Sequence, residues 1–349
     1  MTGPDLFPCP GMMHGKRILV SVVENKAMHD METPWVSVPA YAGPKDLCYP
    51  ILALAVAKLQ KVLVLPSPLI TVDAQARILD AKKCALYLRP SSMATYVDSI
   101  IKEAPHVKSI TIPEIVKFMK ETEAPIYTYP KAWEERKDDP WLVFHTSGTT
   151  DYPNPLTYTQ RMMALVDAVL ATPDAEECFV DHFARKRLYM SLPYLHVPGW
   201  NGLSALYDYV CGHDLDILEY GKFGVALLTP AIIEELCLTT TGTGALQKLE
   251  SVHYAESGGY LTAAHDKKEA WDYVAFSTHA GAIFKHRFDD LHELVFVRKP
   301  DSKLLSMFQP YPDLDRYPTL DLWIEHPDHK GLSKTKRKTH IYRYMMDLA

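Results

Sequence analysis

Apolar and polar positions along this chain follow a helix-then-strand rhythm. From Pro50, the residues Ile51, Leu52, Leu54, Ala55, Val56 and Leu59 recur at helical spacing and form a broad apolar face. The run Val62 to Leu65 that follows is short, partly β-branched and stopped by Pro66, as in a strand buried on both faces. The same rhythm predicts a helix over Val72 to Asp80 and a strand over Cys84 to Leu88, ended by Arg89-Pro90. It then predicts a helix over Val97 to Glu103, a short strand over Ser109 to Ile112 and a helix over Glu114 to Glu121. Pro113 precedes the last of these, a favourable place for a helix to start. Strands alternating with helices at this spacing argue for an α/β parallel sheet.

Pro125 to Pro140 reads as a polar connection punctuated by proline. Trp141 to Phe144 predicts a strand running into His145-Thr-Ser-Gly-Thr-Thr150. Beyond Pro155, the apolar Met162, Met163, Leu165, Val166, Val169 and Leu170 predict a helix. Leu188 to Leu192 reads as a strand, Tyr194 to Gly199 as a loop and Ile232 to Leu238 as a short helix. Ser251 to Ala280 holds a strand, a Gly-Gly loop and a helix, and Leu294 to Val297 is a strand. Ser333 to His340 is basic and polar and reads as a solvated tail. No internal repeat or low-complexity segment interrupts this order.

Composition narrows the class. The 349 residues are 47% apolar and 23% charged, near the globular average, which argues against a disordered or fibrous chain. Lys and Arg total 37 against 43 Asp and Glu, a net charge of −6, so neither nucleic acid nor an anionic membrane is an expected partner. The apolar run from Ile51 to Ala57 is cut short by Lys58, Gln60 and Lys61, well below transmembrane length. The N-terminus lacks the basic start and apolar core of a secretory signal. The six cysteines, Cys9, Cys48, Cys84, Cys178, Cys211 and Cys237, form no C-x-x-C pair. Reduced thiols in a cytoplasmic protein are therefore expected, without structural zinc. His326 and His329 stand three apart with no second ligand pair in view, so they read as loop residues and no metal ligand is assigned.

The candidate chemistry lies in Trp141 to Pro155, WLVFHTSGTTDYPNP. A strand delivers a loop of small hydroxyl residues around Gly148, whose N–H and O–H groups suit phosphate oxygens. It is not a Walker A loop. In its context the segment resembles the phosphate loop of the adenylate-forming superfamily, which includes acyl-CoA synthetases, luciferases and peptide-synthetase adenylation domains. Thr146, Ser147, Gly148, Thr149, Thr150 and Pro153 match that loop. Later stretches resemble further motifs in the family's order: Tyr194-Leu-His196-Val-Pro-Gly199, Tyr254 to Gly259, Phe276-Ser277-Thr278-His279-Ala-Gly281 and Arg316-Tyr-Pro-Thr-Leu320-Asp321-Leu. Tyr41-Ala-Gly-Pro-Lys-Asp46, Pro66-Ser-Pro68, Phe144-His145 and Glu293 to Pro300 are most similar to fungal carboxylic acid reductases of peptide-synthetase type. The resemblance runs from about Val38 to Leu332.

This resemblance implies an α/β chain equivalent to the family's large N-terminal domain, with two α/β subdomains and a small β-rich part near Leu294 to Phe308. The implied division is a large domain over residues 1–325, with a full or a shortened N-terminus, and a hinge remnant with basic tail over 326–349. It implies ATP-dependent activation of an organic carboxylic acid to an acyl-adenylate, with AMP and a phosphate-bridging Mg²⁺ at the site. A phosphopantetheine carrier or coenzyme A accepts the acyl group in intact relatives. By the same resemblance, Thr146 to Thr150 hold the β,γ-phosphates, Gly258 and Gly259 lie against adenine, and Ser277 lines the nucleotide. Thr278 reaches the α-phosphate, Asp321 holds the ribose and His196 borders the acid. His145 positions or hydrogen-bonds rather than working as an acid or base.

Four positions depart from the family pattern. Asp151 replaces the loop's second glycine and sets a negative charge beside a polyanion. Asn154 replaces a phosphate-facing lysine. His279 replaces an acidic Mg²⁺ partner, and Mg²⁺ prefers oxygen ligands. Leu320 replaces the glycine before Asp321 and adds bulk. No lid domain with its lysine is legible after Leu332. The expectation is therefore an adenylate-forming chain of impaired activity. The alternatives are a non-catalytic nucleotide- or acyl-binding relative, or a truncated gene product.

Overall fold

The computed structural model describes residues 38–46, 48–114, 131–145, 153–164, 186–190, 192, 194–197, 199–200, 208–211, 223–228, 230–249, 251–254, 262–263, 273–276, 281–299, 308 and 313–335. The chain divides into two compact units. One comprises Met1–Met163 and Pro193–Gly199, the other Ala164–Leu192 and Trp200–Ala349.

The first unit follows the alternation read from the sequence. Its elements are β1 (Pro39–Tyr41), α1 (Cys48–Lys58), β2 (Leu63–Val64), α2 (Val72–Ala81), β3 (Leu86–Arg89), α3 (Ala94–Glu103), β4 (Lys108–Thr111), β5 (Pro140–His145) and β6 (Pro155–Thr159). They form one sheet in the order β4-β3-β1-β2-β5-β6, parallel except for the antiparallel β5–β6 pair. The chain steps from β1 to β2 on one side and from β3 to β4 on the other, so strand order reverses beside β1. Right-handed crossovers then set α1 on one face and both α2 and α3 on the other. Accordingly α2 and α3 pack together, and Ala76, Ile78, Leu79, Val97 and Ile100 share one core with Ala40, Val64, Tyr87 and Val143. Helix α1 packs on β2 and β5. It is apolar on nearly every side and buries Tyr49, Ile51, Leu52, Ala53, Ala55 and Val56, as expected of a core helix. The indole N–H of Trp141 donates to the Ala53 carbonyl at 2.7 Å, fixing β5 to α1.

One element differs from the sequence reading. The residues after Pro155 form a strand paired with β5, from His145↔Pro155 to Pro140↔Thr159, and the helical residues start only at Gln160. The apolar Met162 run signals the helix; the strand that precedes it is short, and its only sequence signal is the brief alternation Leu156-Thr-Tyr-Thr159. The predicted helix over Glu114 to Glu121 falls almost wholly outside the described residues.

The second unit holds two sheets. The first is parallel, in the order β10-β9-β7-β8, from β7 (Arg187–Met190), β8 (Asp208–Cys211), β9 (Val225–Leu228) and β10 (Ser251–Tyr254). The helices α4 (Pro230–Cys237) and α5 (Thr240–Leu246) supply Ile233, Leu236, Ala245 and Leu246 to a core with Tyr189, Phe223, Ala226 and Leu228. The second sheet is antiparallel, in the order β11-β12-β16-β15-β14-β13. Its strands are β11 (Thr262–Ala263), β12 (Val274–Phe276), β13 (Ala282–Phe288), β14 (Leu291–Val297), β15 (Arg316–Glu325) and β16 (Leu332–Thr335). Leu294, Phe296, Phe308 and Trp323 form its core, with Phe276 and Phe284 edge-on to Trp323.

Two parallel-sheet subdomains and a β-rich part are thus present, as the sequence implied. The β-rich part is larger than the Leu294 to Phe308 stretch. The start of the stretch read as a solvated tail is also sheet: Ser333, Lys334 and Thr335 pair with Glu325, Ile324 and Trp323. Among the described residues, no helix is long and apolar enough to cross a membrane.

Candidate functional site

In an open parallel sheet, loops at the carboxyl ends of the strands are the usual ligand-binding edge. In the first unit that edge carries a defined polar arrangement. His145 is the last residue of β5 and is 7% exposed. Its Nε2 accepts the backbone N–H of Ser67, just past the end of β2, at 2.8 Å. Ser67 is itself pinned in a turn, its hydroxyl accepting from Leu69 N at 3.2 Å. A nitrogen that accepts an N–H carries no proton, so the neutral ring is protonated at Nδ1. The imidazole that immediately precedes the Thr146 to Thr150 loop thus has a fixed orientation and a fixed tautomer.

The return segment Pro193–Gly199 joins this unit. His196 is half-buried there. Desolvation lowers its pKa below the ordinary histidine range, with His145 and Lys45 adding to the effect. That influence sets His145 and Lys45 within electrostatic range of His196.

Buried tyrosines pack around the end of β1. Tyr41 and Tyr49 pack edge to face with centroids 4.7 Å apart, and Tyr49 lies 6.2 Å from Tyr194. The Tyr49 hydroxyl accepts from Gly43 N and donates to Gly43 O. A Cβ on Gly43 would lie 1.9 Å from the Tyr41 hydroxyl, so the backbone after β1 can pass over that ring only as glycine. Asp46 begins α1, its carboxylate accepting from Cys48 N at 2.8 Å. Burial raises the pKa of the Cys48 thiol and the Tyr41 phenol, which keeps both neutral.

In the second unit, Asp321 lies on β15 at an irregularity of the β14–β15 ladder. There Glu293 pairs with Leu322 and Val295 with Pro318. Thr319 braces the bulge: its hydroxyl donates to Leu294 O at 2.9 Å and accepts from Asp321 N at 3.2 Å. Leu320, between them, takes a left-handed backbone with φ 62° and is 80% exposed. Its side chain projects into solvent. Gly281, at the end of the Phe276 segment, also has positive φ, and a Cβ there would lie 2.3 Å from Val297 O.

The sequence-derived candidates therefore divide. His145 and His196 both belong to the first unit, and Asp321 sits on its bulge in the second. Thr146, Ser147, Gly148, Thr149, Thr150, Gly258, Gly259, Ser277 and Thr278 lie outside the described residues, as do Asp151 and His279. Ser67, Lys45 and Tyr49 join the site without having been named for it. Their stretches carried the family resemblance, but no local signal marks a backbone N–H that meets a ring 78 residues away.

His326, read as a loop residue, closes a turn. Its Nδ1 accepts from Asp328 N and His329 N at 3.1 and 3.2 Å.

No protein-family model matches the chain. A carboxylic acid reductase of Neurospora crassa is 25% identical over a 409-residue alignment covering 91% of this chain and 39% of the reductase. The isocyanide synthase-NRPS hybrid crmA of Aspergillus fumigatus is 23% identical over 341 residues, covering 84% of this chain and 22% of the hybrid. The chain thus spans well under half the length of either relative. Among solved structures, the inhibitor-bound N-terminal domain of FACL13 from Mycobacterium tuberculosis superposes with a TM-score of 0.64 at 15% identity. It covers 94% of this chain and 92% of that domain. The anthranilate CoA ligase AuaEII in complex with anthranoyl-AMP gives 0.66 at 10% identity, over 93% of this chain and 70% of the ligase. At such identities the structures speak for the fold. With the ordered motifs and the similarity to the fungal proteins, the chain resembles the adenylate-forming, AMP-binding superfamily and has the fold of its large N-terminal domain.

Proposed function

We propose that this chain binds ATP and an organic carboxylic acid and serves adenylate formation. The acid's carboxylate attacks the α-phosphorus, the bond to the bridging oxygen breaks, and pyrophosphate leaves with that electron pair. His145 carries the reading. It is buried at the carboxyl end of the sheet directly before the hydroxyl-rich loop, and Ser67 holds it with its proton on Nδ1. From there it can donate to an oxygen of the acid or phosphate. His196, neutral near pH 7, borders the acid, and Lys45 supplies positive charge. Thr146 to Thr150 receive the β,γ-phosphates, Thr278 the α-phosphate, Gly258, Gly259 and Ser277 the nucleotide, and Asp321 the ribose. The anthranoyl-AMP held by a protein of the same fold and the acid reduced by the Neurospora relative support this class of ligand. A carrier thiol or coenzyme A is the acceptor by analogy. The buried free thiols of Cys48 and Cys84 suit a reducing cytoplasmic setting.

Turnover is proposed to be reduced. Asp151 and Asn154 remove favourable charge from the phosphate loop. A resident Mg²⁺ fits poorly, because His279 offers nitrogen where magnesium takes oxygen, so any Mg²⁺ arrives with the nucleotide's own phosphates. ATP–pyrophosphate exchange over a panel of aryl and amino acids tests the reading. Exchange with at least one acid, slower than in an intact relative, is the expected result. The four replacements, at Asp151, Asn154, His279 and Leu320, favour a second reading, a non-catalytic binder. Flat exchange together with micromolar Mg-ATP binding by calorimetry would establish it, and flat exchange without binding would remove both.

A further inference from the structure

The β13–β14 hairpin carries a separate arrangement of chemistry. The two-residue loop Asp289-Asp290 joins Phe288 to Leu291, and the register sets His286 directly opposite His292. Their rings meet edge to face with centroids 5.4 Å apart. Each ring already commits one nitrogen to the loop. His286 Nε2 lies 2.9 Å from Asp289 O, and His292 Nδ1 lies 3.2 Å from Asp290 O. A carbonyl oxygen only accepts, so those nitrogens carry the protons. In the neutral rings, His286 Nδ1 and His292 Nε2 therefore hold lone pairs. An imidazole whose far N–H is held by a backbone carbonyl is the arrangement that surrounds metal-bound histidine. Two imidazoles each ~2.0–2.1 Å from a shared tetrahedral ion set their ring centroids roughly 5 Å apart, close to the separation here.

We propose that His286 and His292 form an open site for a late first-row divalent cation of the Zn²⁺ kind. Two imidazole nitrogens select Zn²⁺, Ni²⁺ or Cu²⁺ over Mg²⁺ and Ca²⁺, which take oxygen. The exposed His286 lets an ion in from solvent. The nearest guanidinium, Arg287, is engaged by the Glu293 carboxylate, so its charge opposes a cation less. Among the described residues, no cluster of three or more His, Cys, Asp or Glu side chains is gathered for a metal, so water completes the coordination. A bound ion ties β13 to β14 at the hairpin end and stabilises the folded chain by mass action.

Calorimetric titration of the full chain with ZnCl₂, after removal of any affinity tag, tests the site, alongside thermal melts with and without the metal. The expected result is saturable Zn²⁺ binding and a Zn²⁺-dependent rise in Tm. Binding should weaken roughly tenfold or more in either H286A or H292A, and the rise in Tm should vanish in both. H329A, altered in a different turn, should bind as the parent does, and MgCl₂ should give no heat. Equal metal-free Tm values for parent and variants separate loss of the site from loss of the fold. The proposal is overturned if the parent binds no Zn²⁺, or if the double variant H286A/H292A binds it unchanged.

Discussion

The two histidines of the first unit show how position sets the role of one residue type. His145 is held by the backbone N–H of Ser67, which settles its tautomer. His196 is tuned by surroundings instead: burial first, then His145 and Lys45, push its pKa down. The sign of the linkage follows. Above its ordinary range near ~6.5, His196 is neutral in both folded and unfolded chains and adds no pH dependence. As pH falls below ~6.5, the unfolded chain takes up a proton that the folded chain resists, and stability declines until the lowered folded-state pKa is passed. His196→Gln should remove that part of the acid-side loss. Urea unfolding at about pH 7.5 and about pH 5 checks this: the parent should lose more stability across the interval than the variant. Equal losses would mean that His196 is not tuned by its surroundings in this way.

At the scale of elements, β15 stores strain. A non-glycine residue in the left-handed region costs ~1 kcal/mol or more, and Leu320 does so while 80% exposed, with little packing in return. Leu320→Gly should therefore stabilise the chain by ~1 kcal/mol, less a small entropic offset in the unfolded state. A Tm higher by a few degrees would confirm it. Leu320→Val, with a β-branched side chain at the same φ, should lower Tm. Leu320, expected as bulk beside the ribose, also carries a backbone cost where the family has glycine. The element reading succeeded where apolar residues recur at a clear period, as in α1, α2 and α3. It failed at β6, whose alternation over Leu156 to Thr159 is too short to outweigh the apolar run that follows, and whose pairing with β5 is a tertiary contact.

For the molecule as a whole, the proposed ATP site depends on charge in its phosphate loop. A hydrogen bond to a charged partner is worth ~1.5–3 kcal/mol, and ~1.4 kcal/mol is tenfold in affinity. Restoring the family residues with Asp151→Gly and Asn154→Lys together should tighten Mg-ATP binding by roughly tenfold or more, read by calorimetry. Unchanged affinity would mean that this loop does not receive the phosphates.

The sequence by itself determined the α/β class, the main helices and the order of the motifs, because helical periodicity, proline stops and short conserved-type loops are local. It also pointed to His145, His196 and Asp321 as candidates. Only the tertiary structure decided what those residues touch. The Ser67–His145 bond spans 78 positions, the His286–His292 pair depends on hairpin register, and the Leu320 strain depends on how β15 meets β14. Each of these is a long-range or register effect, set by which strands pair and how far they slide. The side-chain pattern of a single strand carries no record of either.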